Sequence, residues 1–237
     1  MATSGMMVRA AATATGIPER SVVVHMRNLR EGGLVAPGGR GISARPMDAF
    51  DLSHLMLGLL GAAQVGDTVE AATNLGDLPL VGTPVAWPSG RGRRYPSNLS
   101  DLAAKNSRSD LQFVFATTLE LHGRGMLMPK PTPFYTSNEG PTFLRLMDAP
   151  MFRLRVFAPI PLAILQYGNE TRVETWTFGR VAAPLDRSGP FDEVLDRYSA
   201  TVAQDPSAGG LIQVRELGTN SLEYLVDVLF DRCPDEI

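Results

Sequence analysis

Residues 16–45 read GIPERSVVVHMRNLREGGLVAPGGRGISAR, with five arginines set among valines and leucines. Arginine's planar fork pairs bidentately with phosphate or with the O6/N7 edge of guanine. An Asn amide pairs the same way with adenine, and a valine can rest on a thymine methyl. On a helical wheel started at Val22, the apolar Val22, Met26 and Leu29 form one stripe. Arg20, Val24, Arg27, Asn28 and Glu31 fall on the opposite side, and Ser21 and His25 flank the stripe. Such a face offers side chains that reach base edges and phosphates. Behind it, Gly38, Gly39 and Gly41 surround Arg40. Those glycines permit positive φ and a close backbone approach, as a hairpin tip needs.

Charge points the same way. Residues 1–45 hold six arginines (9, 20, 27, 30, 40, 45) against Glu19 and Glu31, a net +4 on a chain of net charge −3. A basic end on an acidic chain is a pointer to nucleic acid or another anionic surface. Lys105 and Lys130 are the only lysines in 237 residues, a bias that a GC-rich genome would also produce. The apolar content of 44% and charged content of 20% describe an ordinary folded protein with a real core.

The elements that must carry these residues can be traced in order. Residues 6–15 are Ala-rich and helix-compatible, ending at Gly16. Pro18 suits the first turn of a second helix running to about Glu31, where Gly32-Gly33 stops it. Leu34-Val35 and 42–44 are short extended candidates on either side of the Arg40 turn. Asp48, with Asp51 three residues on, opens a third helix to about Ala63. Residues 76–109 are dense in Pro, Gly and Ser and predict a linker. Beyond it, 111–121, 152–159, 161–168, 171–179 and 211–217 read as strands, and 191–204 and 221–231 as helices. The expected division is 1–65, a linker at 66–109, and a mixed body at 110–237.

Ala12, Gly16, Ile17 and Val22 have the spacing of a helix-turn-helix: a small residue for close approach, a glycine at the turn, then apolar locking positions. Here the sequence resembles winged helix-turn-helix regulators of the MarR-like type, over about residues 8–45. LREGGLV (29–35) and the Arg40 tip carry the likeness, and the run through MDAFDLSHLMLGLLGA more loosely resembles winged-helix proteins of prophage or gene-transfer-agent type. The resemblance implies that Arg20, Ser21, Val24, Arg27 and Asn28 face the major groove. It implies that Arg40 is a wing tip reaching phosphate or the minor groove, and that Arg45 lies near the wing's base. Such domains usually have a helix before the helix-turn-helix. Here helix 48–63 or a partner chain would supply that packing face.

Weaker signals in the sequence have plainer readings beside them. SGRGRRYP sets Arg91, Arg93 and Arg94 in a Gly/Pro-bounded loop. An extended Arg-Gly-Arg suits a narrow minor groove, though a proline is expected where Arg94 stands, and a solvated basic linker is the plainer reading. His25, His54 and His122 are scattered without metal spacing, and His54 is expected on an exposed helix face. Cys233 is the only cysteine, so no disulfide framework or thiolate metal site is expected within one chain. There is no hydrolase elbow, phosphate loop or dinucleotide fingerprint, so no enzyme, cofactor or metal is expected. Neither a membrane span nor a signal layout is evident, which predicts a cytoplasmic protein with no membrane partner.

The expected fold class is α+β: an N-terminal winged helix-turn-helix and a C-terminal mixed domain rich in antiparallel strands. The expected function is sequence-specific transcription regulation on double-stranded DNA, acting as a homo-oligomer, most simply a dimer. RNA polymerase or another regulator is a further candidate partner. The alternative is a phage-type DNA-packaging or replication accessory protein with an oligomerising body.

Overall fold

The computed structural model describes residues 2–37, 45–81, 85–88, 109–125, 151–158, 161–169, 172–179 and 213–231. The expected hairpin with Arg40, the Arg91–Arg94 loop, the 191–204 helix and Cys233 lie outside them.

Helix α1 (Ser4–Thr15) starts where the Thr3 hydroxyl accepts from the Met6 amide, and stops at Gly16. Gly16 takes the left-handed conformation, φ 71°, and its N–H returns to the Ala12 carbonyl. Only Ile17 and Pro18 then separate it from α2 (Glu19–Glu31). Helix α3 (Ala49–Gly61) opens with a complete capping box between Asp48 and Asp51. It is buried nearly all round, because α2, the helices Thr68–Gly76 and Leu111–Gly123 and the strands Met151–Ala158 and Gln213–Leu217 all pack against it. A single 3-10 turn (Val65–Asp67) leads into α4 (Thr68–Gly76). A Cβ on Gly58 or Gly61 would fall 2.8 Å from Thr68 Cγ2 or 2.4 Å from Leu75 Cδ1. Those two glycines set how closely α4 crosses α3.

Among the described residues, five strands form an antiparallel sheet in the order β1-β4-β3-β2-β5: β1 (Val85–Pro88), β2 (Met151–Ala158), β3 (Leu162–Asn169), β4 (Arg172–Gly179) and β5 (Gln213–Leu217). Phe152, Leu154 and Val156 of β2 are buried, while Arg153 and Arg155 lie on the other face, both paired with Glu216 of β5. Helix α6 (Thr219–Leu229) follows β5 directly. The Thr219 hydroxyl both accepts from the Phe152 N–H and donates to the Phe152 carbonyl, clipping α6 to the sheet.

The α+β class and the antiparallel strands agree with expectation, and four of the five expected strands appear. The fifth does not. Residues 111–121 form helix α5 (Leu111–Gly123), not a strand. Its run of Phe, Val and Thr imitates a strand, yet Asp110 caps it by accepting from the Phe113 amide. The Thr118 hydroxyl bonds back to the Val114 carbonyl, as a helical threonine can. Burial against α3, α4 and α6, with Phe115 stacked 6.0 Å from Phe152, overrides the weak helix propensity of its β-branched and aromatic residues. The expected linker is also more structured than its composition suggests, since it contributes α4 and β1.

Helices α3 and α6 pack on β2, and α3 also meets β5. One cluster of buried side chains runs from Ala2 through Met26, Leu55 and Phe115 to Leu165, Trp176 and Leu229, so no separate core closes at residue 65. Helix α1 packs on α6, with the Ser221 hydroxyl donating to the Ala14 carbonyl. The packing face expected from helix 48–63 is thus shared between α3 and α6.

The strongest polar tie between sheet and helices is Arg215. Its Nη1 donates to the carbonyls of Leu59, Leu60 and Ala62 at 3.1, 3.3 and 2.6 Å, covering the C-terminus of α3. A cation there satisfies orphan carbonyls and complements the negative end of the helix dipole. Arg215→Met should therefore destabilise the fold by roughly 2–3 kcal/mol. Arg124→Ala, which removes an exposed i,i+4 pair with Glu120, should change it by less than about 0.5 kcal/mol. Urea denaturation of both variants checks this, and equal midpoints would contradict it.

Candidate nucleic-acid interface

Helix α2 presents two different sides. Outward it shows Arg20, Val23, Val24, Arg27 and Glu31, an i, i+3, i+4, i+7 stripe extended by one more turn position. Val23 is 50% and Val24 43% exposed, which is unusual for valines on a folded helix. Arg27 Nε donates to Glu31 Oε1 at 2.7 Å, leaving both Nη groups of the guanidinium outward. Glu19 is also exposed, so the described part of this face carries as many acids as arginines.

The inner side is tied down by a knot of hydrogen bonds. Asn28 Nδ2 donates to the Val65 carbonyl at 2.7 Å, and the Thr68 hydroxyl donates to that same oxygen at 2.6 Å. His25 Nδ1 lies 2.6 Å from the Thr68 oxygen. Because the single hydroxyl proton is directed at Val65, Nδ1 carries a proton and donates in this bond. Burial, and secondarily the Arg215 charge, lowers the His25 pKa below its ordinary 6.5.

The expected site residues therefore divide. Arg20, Val24 and Arg27 stand together on the outer stripe. Asn28, expected to read adenine, is half-buried and has its amide committed to the 3-10 turn. Ser21 is half-buried as well and lines a cleft of about 580 Å³ with Ile17, His25 and Arg215, between α2, the end of α3 and β5. Arg45 is exposed beside the first turn of α3, with Nη2 2.5 Å from Asp48 Oδ2 and 3.9 Å from Asp51 Oδ2. Arg40, Arg91, Arg93 and Arg94 lie outside the described residues. His54, expected in solvent, is half-buried beneath α5, with Gln112 Nε2 2.6 Å from its Nε2. Its pKa is lowered by burial, against the opposing pull of Asp51 and other neighbours.

Sequence reasoning placed His25 only at the border of the apolar stripe and assigned nothing to Thr68 or Arg215. The three-residue spacing of His25 and Asn28 on one flank was a usable hint of a polar anchor. Their partners, about 40 positions away, left no local signal. Among the described residues no helix is long and apolar enough to cross a membrane.

No protein-family model, curated protein or solved structure matches this chain.

Two predictions follow from the knot. Asn28→Ala should cost roughly 1–3 kcal/mol of stability by leaving the inner face of α2 underbonded, measured by chemical denaturation. Acidification should loosen the fold. With folded-state pKa values below 6.5, His25 and His54 bind protons more readily unfolded, so stability is full above about pH 6.5 and declines as pH falls through and below it. Denaturation midpoints at pH 7.5 and 5.5 should differ, and His25→Gln should shrink that difference. An unchanged difference would remove His25 from the effect.

Proposed function

We propose that the protein is a sequence-specific DNA-binding regulator of transcription that docks helix α2 in the major groove. The observation that carries this reading is the α1–turn–α2 unit. Two helices are joined through the left-handed Gly16, and the inner face of the second is locked by His25 and Asn28. Its outer stripe of Arg20, Val24 and Arg27 is left uncovered. That is the arrangement by which a helix-turn-helix offers one helix to base edges. The excess of arginine in residues 1–45 supplies phosphate attraction, to which Arg40 at the expected wing and Arg45 contribute. Residues 91–94 are a second basic segment suited to the DNA backbone or minor groove.

A second reading is favoured by one observation. Glu19 and Glu31 balance Arg20 and Arg27, and two valines stand at the centre of the stripe. A neutral helix face with an apolar centre also suits packing against a helix of another protein, including a second copy.

Binding of the purified chain to the DNA upstream of its own coding region and to a scrambled duplex, across a salt series, separates the two. The DNA reading predicts preference for the native duplex and affinity that falls steeply with salt. Arg27→Ala should weaken the preferred duplex by about ten-fold or more and the scrambled one much less. Absence of binding to either duplex at low salt, with self-association lost on Val24→Arg, would replace it with the protein-contact reading.

A further inference from the structure

Resting on the DNA-binding reading, the geometry of the outer stripe points to the base content of the site. We infer that α2 reads a short core in which two G·C pairs flank T·A pairs, through Arg20 and Arg27 on guanine and Val23 and Val24 on thymine methyls, with no amide reading of adenine.

Three features carry this. Arg20 and Arg27 are seven residues apart, about 10.5 Å along a helix, which spans about three base-pair steps of 3.4 Å. Between them, on the same stripe, Val23 and Val24 are the exposed large apolar side chains of this helix. Water-exposed valines have a natural counterpart in the major groove, where the C5 methyl of thymine is the apolar group on offer. A stripe ordered Arg, Val-Val, Arg therefore meets a groove edge ordered guanine, methyl, guanine.

The ends of the stripe are equally specific. Glu31 Oε1 accepts a hydrogen bond from Arg27 Nε at 2.7 Å. The two Nη groups remain as a fork for guanine O6 and N7. Glu31 is a positioning residue in this scheme. At the other extreme, adenine's usual partner is an Asn or Gln amide. α2 contains one such residue, Asn28, and its amide is bonded to the Val65 carbonyl on the inner flank of the helix. The sequence pattern alone put Asn28 on the reading face, and its absence from that face changes the expected target.

The test is selection of duplexes from a randomised pool by the full chain, followed by affinity measurement on the enriched duplex with every thymine replaced by uracil. That change deletes the C5 methyls and leaves the hydrogen-bonding edges intact. The enriched core should contain two G·C pairs separated by T·A pairs. The uracil form should bind about four-fold more weakly for each methyl contacted. A Val23→Ser, Val24→Ser variant should bind the thymine and uracil forms alike, with folding checked by circular dichroism. An enriched core whose uracil form binds wild-type protein as tightly as the thymine form would overturn this inference and leave DNA binding standing. No enrichment of any duplex at low salt would overturn the DNA-binding reading and this inference with it.

Discussion

The guanidinium of Arg215 on the C-terminus of α3, with the Thr219 clip between α6 and β2, ties the helices of this fold to its sheet through directional bonds. Helix α3 is the most enclosed element, and its last carbonyls would otherwise end beside β5 without donors. One side chain from the sheet edge supplies three of those bonds, while Nη2 bonds the Gln213 side chain. Through that contact the end of α3, the 3-10 turn behind it and the inner face of α2 are referred to the sheet. A hydrophobic core alone would fix these layers loosely, since apolar packing is not directional. The Arg215 bonds add direction.

From this anchor the order passes outward to α2. The 3-10 turn continues from the end of α3, and its Val65 carbonyl collects both Asn28 and Thr68. His25 completes the knot, and burial and the nearby Arg215 both disfavour its charged form. The helix is consequently held by polar bonds on its inner flank and by Val22, Met26 and Leu29 in the core. Among the described residues, the side-chain bond on its outer stripe is that of Arg27 to Glu31, within the helix itself. That freedom lets Arg20, Val23, Val24 and Arg27 be set by what they contact outside the molecule, and it is the physical basis for assigning function to them.

Much of this was legible from local chemistry. The turn at Gly16, the stop at Gly32-Gly33 and the Asp48/Asp51 cap were each readable because one or two residues determine them. Strands β2, β3 and β4 announced themselves by β-branched and aromatic runs. Helix α5 did not, because a helix buried on several sides loses its polar face and its sequence then imitates a strand. Asn28 shows the same limit at the site. A helical wheel gives a residue's direction to within a side, but whether it faces solvent depends on what packs there. Val65 and Thr68 approach from a segment that no periodicity connects to α2. Arg215 was least visible of all, an ordinary charged position in a short strand whose role exists only once α3 ends beside it.

On the DNA-binding reading, the outer stripe of α2, held in place by this framework, is the surface that meets the duplex. Backbone and arginine side-chain NMR of the full chain, recorded while a duplex selected for binding is added, reads that contact residue by residue. The largest shifts should fall on residues 19–31 and on the Nε signals of Arg20 and Arg27, with β2, β3 and β4 little changed. Shifts concentrated on the Arg153 and Arg155 face of the sheet, with α2 unmoved, would contradict it.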